Sequence, residues 1–302
     1  MAWRGVHISQ PSRLKYRDKQ LVVDQDDSSV SLAIEDIAWL ILDTPHISLT
    51  VSLLSALAGA GVAMIVPDEK HHPSGVLLPF HQHHAQAHIA HSQVGMSLPL
   101  KKRLWQNIIV AKITNQAALL DALGRERAPA LRAMAGRVGS GDPDNIEAQA
   151  ARAYWSALFD KFTRSDENDR RNALLNYGYA VVRAAIARAC VASGLLPAFG
   201  LHHASKVNAF NLVDDLIEPF RPFVDSCANA RAHETEGDTL TVDDRRHMAN
   251  ILNDTAMIGT ERMTLLAATE AIATSLVRAI EHGSALLLQL PEFAGTKPDS
   301  GQ

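Results

Sequence analysis

The hydrophobic period changes roughly a quarter of the way along the chain, and that change limits the fold more than any other feature. Before it, apolar residues alternate or form short β-branched blocks, as strands do. Val6-His7-Ile8 is a short strand. Leu14 and Tyr16, then Leu21-Val22-Val23, flank the polar turn Arg17-Asp18-Lys19 and predict a hairpin. Val30, Leu32 and Ile34 alternate with polar or small residues. Ile37 to Leu42 is continuously apolar and reads as a buried strand. Leu49 to Leu57 has helical spacing and stops at Gly59 and Gly61. Val62–Val66 and Val76–Leu78 are further strands. After them the spacing is helical. Leu104–Leu123 is amphipathic and stops at Gly124. Asp142-Pro143 supplies a cap and a first-turn proline. Asn172–Ala192 is apolar nearly all round and predicts a central buried helix. Thr241 to Asp244 forms a capping box. Thr260–His282 reads as one long helix, and the last ten residues, from Phe293, as a frayed end.

The 302 residues suit two domains. We expect an α+β protein: a small β-rich domain over residues 1–82, then a larger all-α domain over 83–302. A chain 47% apolar and 21% charged is an ordinary globular one, which excludes disordered and collagen-like classes. No apolar run reaches the ~18 residues of a membrane span and no leader opens the chain, so a cytoplasmic protein is expected. Cys190 and Cys227 are too few for a disulfide framework or a Cys-rich zinc fold. The net charge of −4 argues against a purely electrostatic nucleic-acid binder, but it hides segregation. Residues 101–137 carry eight basic and two acidic side chains, whereas from Ala232 onward eleven acids face five bases. The basic segment is either a solvated face or a track for a phosphate backbone.

Three groups of residues suggest chemistry. Glu147 falls within an apolar arc with Ala151, Tyr154, Trp155, Leu158 and Phe162 on a helical wheel. A buried carboxylate needs a cation or a proton. An internal salt bridge to Arg164, Arg170, Arg171, Arg183 or Arg188 would supply the cation, and so would a metal. Asp214, Asp215 and Glu218 share one helical face opposite Leu212, Leu216, Ile217 and Phe220, and Pro219 should distort the helix there. Such a cluster is either a solvated acidic face or a cation site. Seven of the fourteen histidines lie between His71 and His91. His84, His88 and His91 would align on a helix, which invites zinc. With no partner acid, an exposed linker is the better reading.

Several stretches together resemble a known family. Val138-Gly-Ser-Gly-Asp-Pro-Asp-Asn-Ile-Glu-Ala-Gln-Ala-Ala-Arg-Ala-Tyr154 looks like the first motif of the CRISPR adaptation integrases, the spacer-acquisition endonucleases. Asn172-Ala-Leu-Leu-Asn-Tyr-Gly-Tyr179 resembles their central helix. Gly200-Leu-His-His203 and Asp215-Leu-Ile-Glu-Pro-Phe-Arg-Pro222 resemble their last two motifs. Lys112-Ile-Thr-Asn-Gln116 and Trp3-Arg-Gly-Val-His-Ile8 fit as well. Order and length are most similar to the type II form.

The resemblance implies a β-rich domain for dimerisation and a helical metal-dependent catalytic domain. It implies Mg²⁺ or Mn²⁺ held by Glu147, His203 and Glu218, which would be the catalytic residues, with Asp215 as a supporting acid. A shifted turn could present His202 in place of His203. It also implies DNA as substrate, both spacer precursor and CRISPR repeat, and a homodimer in a larger complex with a small companion adaptation protein. The chemistry would be cleavage by water or joining by a 3′-OH, with no protein nucleophile, so Cys190 is expected in the core. Arg164, Arg170, Arg171 and Arg183 are candidates to neutralise phosphates. Tyr177 and Tyr179 either stack on a splayed base or belong to the core. The two rival readings are a non-enzymatic DNA scaffold, insensitive to chelator, and a metal-handling protein built on the His71–His91 cluster.

Overall fold

The computed structural model describes residues 2–26, 28–69, 71, 73–80, 82–234 and 239–293. Strands β1 (Arg4–Ile8), β2 (Ser12–Arg17), β3 (Gln20–Gln25), β4 (Ser28–Ala33), β5 (Ile37–Leu42) and β6 (Ile47–Leu49) come first. Helix α1 (Val51–Gly59) follows, then β7 (Ala63–Pro67) and β8 (Pro73–Leu77). The chain continues as α2 (Gln86–Val94), α3 (Leu98–Ala122), α4 (Ala128–Ala135), α5 (Ile146–Leu158) and α6 (Arg170–Ala192). After these come α7 (Asn211–Leu216), a 3₁₀ turn over Glu218–Phe220, α8 (Arg221–Glu234) and α9 (Val242–Ala249). The hairpin β9 (Thr255–Ile258) and β10 (Glu261–Thr264) leads into α10 (Leu265–Glu281).

One four-stranded sheet has the order β4-β3-β2-β6. Its β2–β3 hairpin turns on Asp18 and Lys19, both with positive φ, as a two-residue turn matched to strand twist requires. The second sheet, β1-β5-β7-β8, is parallel except for β8. Every residue of β5 is buried because both faces of the strand are covered. Leu40 and Leu42 pack into the apolar core of the β region, while Trp39 and Ile41 point into the helical core. A register shift sets Gly5 opposite Trp39, and a Cβ on Gly5 would overlap the indole ring.

The helical part is organised by α3 and α6. Helix α6 is buried along most of its length and contacts α7, α8, α9, α10, β7 and β8. Helix α3 touches α4, α5, α7, α8 and the Glu218–Phe220 turn. Asp43, just after β5, is buried and joins the two halves. It accepts hydrogen bonds from Arg245 Nε on α9 at 2.8 Å, and His7 Nε2 and His71 Nδ1 each lie 3.1 Å from it.

Several sequence expectations shift. Helix α5 starts at Ile146, not at Pro143. Asp142 still caps it, accepting from the backbone N–H of Ile146 and Glu147, while Asn145 turns the chain with φ of 50°. The expected helix from Thr260 begins at Leu265, because a turn at Gly259 and Thr260 makes residues 261–264 a strand and Thr264 caps the helix. Leu104–Leu123 is the core of a longer helix that begins at Leu98, with Pro99 in its first turn. The three-residue β6 went unread. The Thr241 capping box is present. Of the end read as frayed, all but Phe293 lies outside the described residues. Among those residues, no helix is long and apolar enough to cross a membrane.

Replacing Asp43 by Ala should leave Arg245 buried without its carboxylate. We expect a loss of about 3–5 kcal/mol in urea-unfolding free energy. A change below about 1 kcal/mol would show that Asp43 does not join the halves energetically.

Candidate active site

Three segments distant in sequence meet around one ammonium group. Lys112, on α3, is 7% exposed. Its Nζ lies 2.6 Å from Glu147 Oε1 on α5 and 2.5 Å from Glu218 Oε2 on the 3₁₀ turn. Glu147 is thus half-buried and does pair with a cation, but with a lysine rather than with any of the five candidate arginines. Burial disfavours the charge on Lys112, yet Glu218 and Glu147 outweigh it and hold the ammonium charged above its usual range. Glu218 is buried, which opposes its ionisation. Lys112 and Arg221, whose Nε donates to Glu218 Oε1 at 2.8 Å, reverse that and bring it down to about 2.

The turn bearing Glu218 follows from Pro219. Helix α7 ends at Leu216, the backbone tightens, and α8 restarts at Arg221. Asn115, three residues after Lys112, donates to the carbonyls of Pro219 and Pro291 at 2.8 Å each. Helix α3 therefore grips the same turn through both its carboxylate and its backbone.

The three acids do not form a solvated face. Asp214 pairs with Arg183 at 2.6 Å and accepts from Asn208. Asp215 is fully buried and accepts backbone N–H groups from Leu201, His202 and His203, while His203 Nδ1 lies 2.7 Å from its Oδ1. The loop must come very close to do this. A Cβ on Gly200 would sit 2.3 Å from the His203 carbonyl oxygen and 2.7 Å from Asp215 Oδ2. Gln93 clamps the preceding residues through Leu196 and Phe199, and Asn211 holds Ala198, Ser205 and Asn208.

The doubled histidine is divided by this loop. His202 stacks on the buried Trp105, with ring centroids 4.3 Å apart and 3° between planes. His203 turns to Asp215, and its side chain remains 44% exposed. The Asp215 hydrogen bond raises the His203 pKa above its usual value, against burial, and Glu218 and Asp214 add to the rise. With Nδ1 engaged by a carboxylate, Nε2 faces away as a possible ligand, the arrangement that orients metal-binding histidines.

The donor set fits a divalent cation: two carboxylates already bracket one positive charge, and a carboxylate-oriented imidazole lies within the electrostatic reach of Glu218. As the side chains stand, no three His, Cys, Asp or Glu groups among the described residues form a set that could hold a metal ion, and Lys112 Nζ lies between the two glutamates.

Beneath the site lies Asp225, on α8, which the sequence reading did not single out. It accepts from Tyr154 at 2.6 Å and from Tyr179. Tyr179 thus belongs to the core, as does the buried Tyr177, and neither is free to stack on a base. Arg221 packs over the Tyr179 ring at 4.6 Å. Cys190 is buried and its thiol is pushed up to about 12, so it is a core residue.

The four candidate arginines are all engaged. Arg170 pairs with Asp244, Arg171 with Asp169 and Arg183 with Asp214. Arg164 instead donates to the amides of Asn172 and Asn176. In the histidine-rich stretch, His72 and His81 lie outside the described residues. His84 precedes α2, so it does not align with His88 and His91, and all three are exposed. His71 serves Asp43.

The chain matches the model of the family described as CRISPR associated protein Cas1 over residues 6–257, and it belongs to that family. It is 40% identical over 300 residues to a CRISPR-associated endonuclease Cas1 of Neisseria meningitidis serogroup C, covering 98% of each chain. Among solved structures it is similar to a casposase bound to integration product, with a TM-score of 0.75 and 18% identity over 98% of this chain and 93% of that one. It is also similar to a chain of a Cas6-RT-Cas1–Cas2 complex, with a TM-score of 0.75 and 17% identity over 95% of this chain and 36% of that one.

Burial pushes the Asp225 carboxyl up to about 6, against the hydrogen bonds of Tyr154 and Tyr179 and the charges of Arg221 and Lys112. Its folded pKa lies above the unfolded value of about 3.9. Its stabilising contribution is therefore full below about pH 4 and lost as pH rises through 6. Relative to Asp225→Asn, the wild type should lose on the order of 3 kcal/mol between pH 4 and 7 in denaturant melts. Parallel pH profiles would contradict this.

Proposed function

We propose that this chain is a metal-dependent DNA endonuclease and integrase of CRISPR adaptation. In this reading it inserts spacer DNA into a repeat by attack of a 3′-OH on a phosphodiester, and water replaces the 3′-OH in cleavage. The observation that carries the reading is the bracketing of one cation by Glu147 and Glu218 beside a histidine fixed by a buried aspartate. Family membership and the likeness to a casposase bound to integration product support it.

Glu147, His203 and Glu218 would hold Mg²⁺ or Mn²⁺, hard ions suited to carboxylate oxygen, with manganese also accepting imidazole. The ion would supply Lewis-acid stabilisation of the phosphate oxygens and the leaving 3′ oxygen. Asp215 keeps the His203 ring oriented and its Nε2 outward. Trp105 stacks on His202, which supports His203 as the ligand. Arg221 neutralises part of the Glu218 charge and fixes that carboxylate to the turn. No side chain is required to form a covalent bond to DNA.

The companion would be a Cas2-type protein, by likeness to a Cas1–Cas2 assembly, and the working unit a homodimer within it. Among the four arginines, Arg164 is the strongest candidate to meet phosphate, since its guanidinium is held by amides and not by an acid.

The test is strand transfer of a labelled fragment into a repeat-bearing plasmid, with the companion protein and Mg²⁺ or Mn²⁺. Glu147→Gln, His203→Ala and Glu218→Gln should each abolish joining while thermal melts show a folded protein. Full activity in any one of them removes that residue from the site, and joining that persists in chelator removes the metal. Arg164→Ala should weaken DNA binding and flatten its log–log salt dependence by about 0.7–0.9, one phosphate contact's worth. An unchanged slope in fluorescence anisotropy would clear Arg164 of that role.

A further inference from the structure

Among the described residues, Lys112 is the one charged group that touches both glutamates, and its placement has a consequence for the ion. Its Nζ contacts Glu147 Oε1 and Glu218 Oε2, oxygens that a cation shared between the two carboxylates would use. A monovalent and a divalent cation cannot both occupy that space without strong repulsion at short range. The lysine is buried, but its neighbours open outward: the side chains of Glu147 and His203 are 28% and 44% exposed. Glu147 is thus open to solvent at the same carboxylate that Lys112 contacts, so an ion can reach it there. The lysine stem has several rotatable bonds and can carry the ammonium away from the carboxylates.

We propose that Lys112 is a built-in counter-cation that holds the metal site together when no ion is present and is displaced from the carboxylates when a divalent ion enters. The inference rests on the metal reading above. Lys112 is a positioning residue in this scheme. It keeps the buried Glu218 ionised and paired, so α3, α5 and the Glu218–Phe220 turn stay assembled without metal. The same contacts make it a competitor of the ion. Affinity for metal is lowered in exchange for a site that does not repel itself open.

Competition fixes the sign of the test. Lys112→Met keeps the apolar stem and removes the charge. Measured by titration calorimetry with MnCl₂ on the full chain, this variant should bind Mn²⁺ about tenfold tighter than wild type, the loss of one charged hydrogen bond from the competing state. Without metal the variant should melt at lower temperature than wild type, and Mn²⁺ should raise its melting temperature by more than it raises that of wild type. Equal or weaker Mn²⁺ binding by the variant overturns the proposal, because a lysine that merely preorganised the glutamates would weaken binding when removed.

A measurement on wild type stands if the variant does not fold. The ¹³Cε–¹⁵Nζ signals of lysine, assigned for Lys112, are followed during Mg²⁺ titration. Displacement predicts a shifted signal and faster exchange of the ammonium protons with water. A Lys112 signal unmoved at saturating Mg²⁺ overturns the inference and leaves the metal site intact. Wild type that binds neither Mn²⁺ nor Mg²⁺ removes the metal reading, and this inference with it.

Discussion

A carboxylate with no access to water must find donors for its lone pairs inside the protein, and Asp215 finds four. Three are the consecutive backbone N–H groups of Leu201, His202 and His203, and the fourth is the His203 ring. Much of the site depends on that arrangement. It draws the loop so close that residue 200 has no room for a side chain, and it sends one of two adjacent histidines toward Trp105 and the other toward the acids. The loop is irregular backbone whose position is set by one charge, with the buried amides of Gln93 and Asn211 holding it from behind.

The second element of order is helix α3. Its Lys112 and Asn115 lie one turn apart and hold the Glu218–Phe220 turn by side chain and by main chain. Pro219 has no N–H to keep α7 going, and Asn115 donates to its carbonyl. Glu218 is held low in pKa, and Asp225 beneath it high, within one small region. The difference is one of partners: two cations touch Glu218, whereas two tyrosine hydroxyls touch Asp225.

What the sequence revealed depended on whether a residue broke a local pattern. Glu147 stood out because a charge interrupted an apolar arc, and the kink at Pro219 followed from covalent structure. The buried strand Ile37–Leu42 and the buried helix at 172–192 were legible from unbroken apolar runs. Lys112 was invisible as a partner because it sat among eight basic residues, and only the fold separates the one that turns inward from those that do not. Asp225 lies mid-helix with no neighbour in sequence to mark it. The division between His202 and His203 needed the position of Trp105, almost a hundred residues earlier in the chain. The β9–β10 hairpin was hidden because Thr260–Thr264 is compatible with a helix start, and pairing with residues 255–258 decided otherwise. Local propensity cannot report a partner that arrives through tertiary packing.

Strand β5 gives alternate side chains to two different interiors. Trp39 and Ile41 are part of the helical core although they precede it in sequence by dozens of residues. A fragment that started at the helices would present an unfilled hollow where those side chains belong, and a fragment ending before them would carry a bare indole and isoleucine on its surface. The two halves thus differ in composition but not in solvation, and dissecting the protein at the seam would yield two sticky pieces in place of two modules.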